Sequence, residues 1–383
     1  MVRADQIASI EAWRMPTSSI KETWDSEDSP WPTSPINFLV RVTLQSGMYG
    51  VGEISTQLWY LNETPEQILS IIAAYDRVLK LADPTNLALC HSLMLNCYGS
   101  GIPGARGARS GVDMALFDVV GRLWEVPSYK LMGGAANACQ IPLMFCTYQN
   151  TADKAIADCR AAIARGFKAL KIKVGDRLIA NGWNFQDLTL EADKLAATLK
   201  CIPGHIMVDA DANQAWWNEG STISVLRSLA HHRNLSMEQP LSYDNVNGSA
   251  HVRAASGVPQ ILDESVWSAE AMIRIVQAKA CDRIVLKLAR VGGMFEARKI
   301  IAICEAAAIG VSLDTAPYTV LGDTAVFHTA ISCRHVFPVD EGHQSMIALN
   351  CNWFSGGVTI KDGCASVPDV PGLGIEVDWS LVK

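Results

Sequence analysis

The sequence predicts an α/β fold, a (β/α)8-type (modified TIM) barrel with an N-terminal α+β capping domain that the C-terminal tail completes. Three observations carry this prediction. Eight short β-rich apolar runs recur between residues 141 and 341, about 25–35 residues apart, room each time for a strand and a crossover helix. Polar residues stand at the C-terminal ends of most of these runs, where such barrels carry their chemistry. The residues before about 130 have another texture, a hairpin pattern mixed with amphipathic helices. A doubly wound open sheet is the alternative that the same alternation allows.

The elements follow in order. Asn37 to Leu44 reads as a strand, Ser46-Gly47 as a turn and Met48 to Gly52 as the returning strand. Residues 64–82 open with a Thr cap and a first-turn Pro and keep apolar residues at helical spacing. Residues 111–126 read as a second amphipathic helix, and Gly133-Gly134 as a turn. The runs are 141–148, 169–175, 205–212, 235–240, 259–265, 283–289, 310–316 and 335–341, with clear helical stretches at 151–166 and 294–310. Residues 342–383 are rich in Gly, Asp and Pro and have no helix signal, so they are expected to pack back on the first domain. The expected division is a capping domain at 1–135, a barrel with the active site at 136–341 and a returning segment at 342–383.

Composition excludes several classes. Of 383 residues, 49% are hydrophobic and 19% charged, against roughly 25% charged in average soluble proteins, so global disorder is excluded. A net charge of -7 argues against nucleic acid and against an anionic membrane surface. No apolar run reaches membrane-spanning length, and the N-terminus lacks a signal-peptide core. The eleven cysteines are odd in number and form no CxxC pair, which reads as reduced thiols in a cytoplasmic protein. The apolar composition leads to the expectation of a homo-oligomer.

The run ends carry the chemistry. Asp211, Glu238 and Asp263 end the third, fourth and fifth runs, so they would converge on one side of the barrel mouth. Three buried carboxylates repel one another, and a hard divalent cation, Mg2+ or Mn2+, removes that repulsion. A single strand-end Asp is as readily a helix cap; three in succession beside lysines are not. Asp209 competes with Asp211 for the third position, and Asp211 lies nearer the run end. Lys171 and Lys173 are two apart and project to the same side of one strand. Two like charges so close favour a neutral amine able to take a proton near pH 7. Lys287 lies four strands further on, across an eight-stranded mouth from Lys173. A substrate carbon between them has a basic group on each face. Lys173 would remove a proton next to a metal-bound carboxylate and Lys287 would return one to the other face.

At this point the sequence resembles the enolase superfamily, in its muconate lactonizing enzyme subgroup. The resemblance rests on GVDMALFDVVGRLWEVPSYKLMGG (111–134), KIKVGD (171–176), VDADANQAWW (208–217), MEQPL (237–241), LDES (262–265), VLKLARVGG (285–293) and VPGLGIEVD (370–378). It implies that Asp211, Glu238 and Asp263 are Mg2+ ligands, that Lys173 and Lys287 are the acid/base pair, and that Lys171 tunes Lys173. It also implies a cap built from the first zone and the tail. The mandelate racemase subgroup has a His near the seventh strand, whereas this strand ends SLDTAPY (312–318), and His328 reads as a helix residue further on. The D-x-D that dipeptide epimerases carry at the eighth strand is replaced by Val339-Asp340-Glu341, which does not favour a dipeptide.

The remaining polar run ends suggest the substrate. Asp314 and Asp340 or Glu341 would add negative charge to the mouth, and no Arg or Lys lies in the seventh or eighth run to receive a second carboxylate. A small-molecule carboxylate that also bears a cationic amine fits. Trp24 and Trp31, in a polar segment of the cap, and Tyr318 could hold a substituted ammonium through their ring faces. The ends of the last two runs are loosely similar to those of proline-derivative members of the subgroup. The expected function is a Mg2+-dependent racemase or epimerase of a cyclic or N-substituted amino acid. The alternatives are a dehydratase of a hydroxyproline or acid sugar, a muconate-type cycloisomerase, and a non-catalytic metal-binding barrel. The histidines show no ligand spacing, and the glycine-rich stretch 99–107 follows no strand, so neither carries a site.

Overall fold

The computed structural model describes residues 5–16, 18–19, 36–56, 61–99, 104–136, 140–149, 151–175, 188–315, 317–340 and 349–382. Three antiparallel strands, β1 (Ile7–Arg14), β2 (Ile36–Leu44) and β3 (Tyr49–Thr56), form the cap sheet in the order β1-β2-β3. Among the described residues, four helices accompany it: α1 (Pro65–Leu79), α2 (Leu87–Leu95), α3 (Arg106–Leu123) and the single turn α4 (Ser128–Leu131). The expected cap of α1 is a reciprocal box: Thr64 Oγ1 accepts from Gln67 N and Gln67 Oε1 accepts from Thr64 N.

Helix α3 departs from expectation in two ways. It starts at Arg106, five residues before the pattern indicated, because a remote acid caps it: Glu63 accepts from the amides of Gly107 and Ala108 at 3.0 and 3.2 Å. It is also buried on all sides from Gly107 to Gly121, so it is not amphipathic. The cap sheet closes down on it, and a Cβ at Gly52 would collide with Gly111 O and Ala115 N.

The barrel strands are β4 (Gln140–Thr147), β5 (Ala169–Lys173), β6 (Met207–Asp211), β7 (Leu235–Glu238), β8 (Gln260–Leu262), β9 (Arg283–Lys287), β10 (Gly310–Asp314) and β11 (Val339–Asp340). Each is parallel to the next, and β11 pairs with β4 through Val339 and Leu143, which closes the sheet and excludes the open doubly wound alternative. The outer helices are α5 (Ala152–Ala164), α6 (Leu188–Cys201), α7 (Glu219–Leu229), α8 (Val246–Ser256), α9 (Ala269–Ala278), the short α10 (Leu288–Val291), α11 (Met294–Ala306) and α12 (Val320–Ser332). The tail adds β12 (Phe354–Gly356), β13 (Thr359–Lys361), β14 (Cys364–Ser366) and β15 (Ile375–Val377). Strand β14 extends the barrel sheet antiparallel to β4, while Arg122 of α3 donates to Ile375 O and Glu376. The ten described cysteines are thiols, and no helix among the described residues is long and apolar enough to cross a membrane.

Buried carboxylates of the cap join it to what surrounds it. Glu53 of β3 accepts from Thr319 N and Gly322 N at the start of α12. Asp113 of α3 accepts from Met294 N and Phe295 N at the start of α11 and bonds His91 Nε2 at 2.6 Å. Asp118 accepts from Val51 N and from Leu373 N in the tail. The first two sit where a helix offers its unpaired amides and the positive end of its dipole.

His328 lies in α12, as expected, with its Nδ1 accepting from Tyr129 N at 3.1 Å. Burial lowers its pKa from 6.5 to about 4, so the neutral ring belongs to the fold. Its contribution is therefore complete above pH 6.5 and is lost as pH falls towards 4, up to about 3 kcal/mol. His328→Asn offers an amide oxygen to the same N–H without a proton to gain. Denaturant unfolding between pH 7 and 4.5 should show a smaller acid loss in the variant than in the wild type; equal losses would contradict this role.

Candidate active site

The strand register lines up the predicted residues. Lys173 on β5 is level with Asp211 on β6, which is level with Glu238 on β7. Asp263 follows the last residue of β8, and across the barrel Lys287 on β9 is level with Asp314 on β10. Lys173 Nζ lies 2.6 Å from Asp211 Oδ2 and 3.1 Å from Asn213 Oδ1. Lys171 Nζ lies 2.9 Å from Glu238 Oε1 and 3.6 Å from Asp211 Oδ2, so it bridges the two acids. Lys287 Nζ lies 2.6 Å from Asp314 Oδ2 and 3.1 Å from Asp263 Oδ2 and bridges that pair. Asp209, one layer lower on β6, faces Arg283 at 3.3 Å, which leaves the mouth to Asp211.

Burial makes these charges interdependent. Asp211, Glu238, Asp263 and Asp314 are each at most 1% exposed. Burial alone would raise Asp211, yet the ammonium groups of Lys173 and Lys171 hold its carboxyl well below the usual range. At Glu264 the charge of Lys287 opposes the rise without cancelling it. Burial first, and then the charges of Asp211 and Glu238, push its carboxyl up to about 7. Asp323, in the first turn of α12, is wholly buried with neither oxygen hydrogen-bonded, and burial raises it well above the ordinary value.

The acids fit a hard cation by kind. They are all oxygen donors, and Glu238 Oε2 and Glu264 Oε2 are buried without a hydrogen-bond partner. As the side chains stand, no three acid, His or Cys side chains among the described residues converge on one metal-sized point. The lysines bridge the carboxylates instead.

The other expected contacts divide. Asp314 is at the mouth against Lys287. The backbone of Asp340 is level with Asp314. Tyr318 is 1% exposed with its ring against Gly322. Trp24, Trp31 and Glu341 lie outside the described residues.

Five residues in the site were not singled out from sequence. Tyr148, just past β4, has its ring centroid 5.6 Å from Lys173 Nζ. Gln239 Oε1 accepts from Asp263 N at 2.9 Å and fixes that turn. Asn213 reaches both Lys173 and Glu264. Glu264 follows Asp263 directly, so the LDES stretch held the signal for it. Arg290, wholly buried, donates to Val266 O and Val285 O and lies 2.6 Å from Asp263 Oδ1. Burial lowers its pKa to about 9, which leaves it a cation at neutral pH. Arg290→Met strips Asp263 of this partner and should cost about 3–5 kcal/mol in urea unfolding; an unchanged midpoint would contradict the pairing.

Comparison with known proteins agrees with this architecture. Residues 35–133 match the model of the mandelate racemase / muconate lactonizing enzyme N-terminal domain, and residues 154–381 match the enolase C-terminal domain-like model. The chain is 28% identical to the L-Ala-D/L-Glu epimerase of Bacillus subtilis over 346 residues, 90% of each chain. It is 26% identical to the chloromuconate cycloisomerase of Cupriavidus pinatubonensis over 350 residues, also 90% of each. The crystal structure of the dipeptide epimerase of Enterococcus faecalis, complexed with Mg and the dipeptide L-Leu-L-Tyr, superposes with a TM-score of 0.85 at 25% identity, covering 97% of this chain and 99% of that one. The chain therefore belongs to the mandelate racemase/muconate lactonizing enzyme group of the enolase superfamily, as an enzyme whose named relatives are isomerases.

Proposed function

We propose that this enzyme is a divalent-metal-dependent racemase or epimerase that moves the proton next to a substrate carboxylate. The observation that carries the reading is the placement of Lys173 and Lys287 four strands apart in a closed eight-stranded barrel, each against a different acid. Asp211, Glu238 and Asp263 are the residues that would hold the metal, Mg2+ by analogy with the magnesium-bound relative. Bound there, the cation supplies Lewis-acid stabilisation of charge developing on the substrate carboxylate. Lys173 accepts the proton from one face of the carbon as a neutral amine, and Lys287 donates to the other face as an ammonium. Lys171, held against Glu238 and Asp211, keeps positive charge beside Lys173.

For the substrate we propose a cyclic or N-substituted amino acid. Asp314 and Asp340 close the seventh and eighth strands, and neither run offers an Arg or Lys to a second carboxylate. The ring of Tyr148 adds an apolar wall near Lys173. A lyase on the same lysines is the second reading, and it differs in product mass.

Three measurements check this. Incubation in D2O with Mg2+ and proline derivatives, betaines and N-acyl amino acids should replace the α-proton, seen by NMR. Lys173→Ala and Lys287→Ala should each lower isomer interconversion by about 10²–10⁴-fold, while each keeps exchange on the face served by the remaining lysine. Wild-type turnover in either variant would overturn the reading. Chelation should stop exchange in the wild type and added Mg2+ restore it; exchange that persists in excess chelator would remove the metal from the account.

A further inference from the structure

Glu53 of the cap touches none of the reacting groups; its partners are Asn37, Thr319 and Gly322. Asp314 ends β10, and α12 begins at Val320, so five residues join them. One end of this connector is set inside the barrel, where Asp314 is level with Lys287 and Asp340. The other end is set from outside the barrel. Pro317 O accepts from Asn37 Nδ2 at 2.8 Å and from Ser55 Oγ at 3.1 Å. Glu53 Oε2 accepts from Thr319 Oγ1 at 2.7 Å, Gly322 N at 2.9 Å and Thr319 N at 3.1 Å. Glu53 Oε1 takes Asn37 Nδ2 at 2.5 Å and Thr319 N at 3.0 Å. Asn37, Glu53 and Ser55 are at most 1% exposed, so water does not compete for these bonds.

We propose that Glu53 is a positioning residue for Lys287: by gripping residues 317–322 it fixes the course of the connector, and with it the place of Asp314 and of the ammonium that Asp314 holds. This rests on the two-lysine reading above. The grip depends on a carboxylate. In Glu53→Gln one oxygen becomes an NH2. If it replaces Oε2, it faces the donors at the start of α12. If it replaces Oε1, it faces the NH2 of Asn37, and turning the Asn37 amide to suit it takes the donor away from Pro317 O. The connector loses an anchor either way, with no change in side-chain volume. A purely structural latch between cap and barrel would affect both faces of the site alike, whereas a positioning role on the connector singles out the Lys287 face.

The experiment measures α-proton exchange in D2O for Glu53→Gln in two backgrounds. Lys173→Ala leaves only the Lys287 face, and Lys287→Ala leaves only the Lys173 face. Exchange on the Lys287 face should fall about 10- to 100-fold, with exchange on the Lys173 face within about twofold. Equal falls on both faces, or an unchanged Lys287 face, would overturn the proposal. Ser55→Ala, which removes one bond to Pro317 O and no charge, should show the same asymmetry in weaker form if Glu53→Gln folds poorly. A crystal structure of Glu53→Gln tests the same point without substrate. The Lys287 Nζ to Asp314 Oδ2 separation should open beyond hydrogen-bond range, and retention of the 2.6 Å contact would overturn the proposal. If the parent enzyme exchanges no α-proton while this contact does open, the two-lysine reading fails and the positioning of Lys287 stands.

Discussion

A carboxylate and an ammonium each cost several kcal/mol to remove from water, and a buried one is held by an opposite charge or by hydrogen bonds, or else loses its charge. The mouth of this barrel is built on that constraint. Lys173 against Asp211, Lys171 between Glu238 and Asp211, and Lys287 between Asp263 and Asp314 make a nearly water-free set in which no charge can change without disturbing its neighbours. Arg290 completes it with a second cation on Asp263, fixed by two backbone carbonyls. Proton transfer needs groups whose protonation is finely balanced, and a buried, mutually paired cluster provides them.

The same economy of buried charge joins the cap to the barrel. Glu53 and Asp113 each end on the free amides of a barrel helix, where an anion is stabilised by the dipole and by direct hydrogen bonds. These contacts place the cap over the C-terminal ends of the strands, on the side where Lys173, Asp211 and Lys287 stand. Helix α3, buried from Gly107 to Gly121, is the plate through which this is done, because Asp113, Asp118 and the stretch against β3 all belong to it.

Much of this was legible in the sequence because strand ends are short, apolar and regularly spaced. Period and position alone put Lys173, Asp211 and Glu238 level with one another and Lys287 at the end of its own strand, level with Asp314, and closure of β11 on β4 removed the open-sheet alternative. What escaped depended on distant partners. The start of α3 is set by Glu63, forty-odd residues earlier, and no local cap marks it. Arg290 reads as an ordinary helix cation until its burial against Asp263 is known. Local pattern reports which face a residue occupies, and long-range contact decides what it does there.

The central claim is that protons leave one face of the substrate carbon and return to the other from different lysines. It is tested most directly by the early isotope content of substrate and product when unlabelled substrate turns over in D2O. Two separate bases predict product that carries solvent deuterium from the first turnovers, while the remaining substrate stays protiated. Product that retains the hydrogen taken from the substrate would show that a single group serves both faces, and would contradict the account.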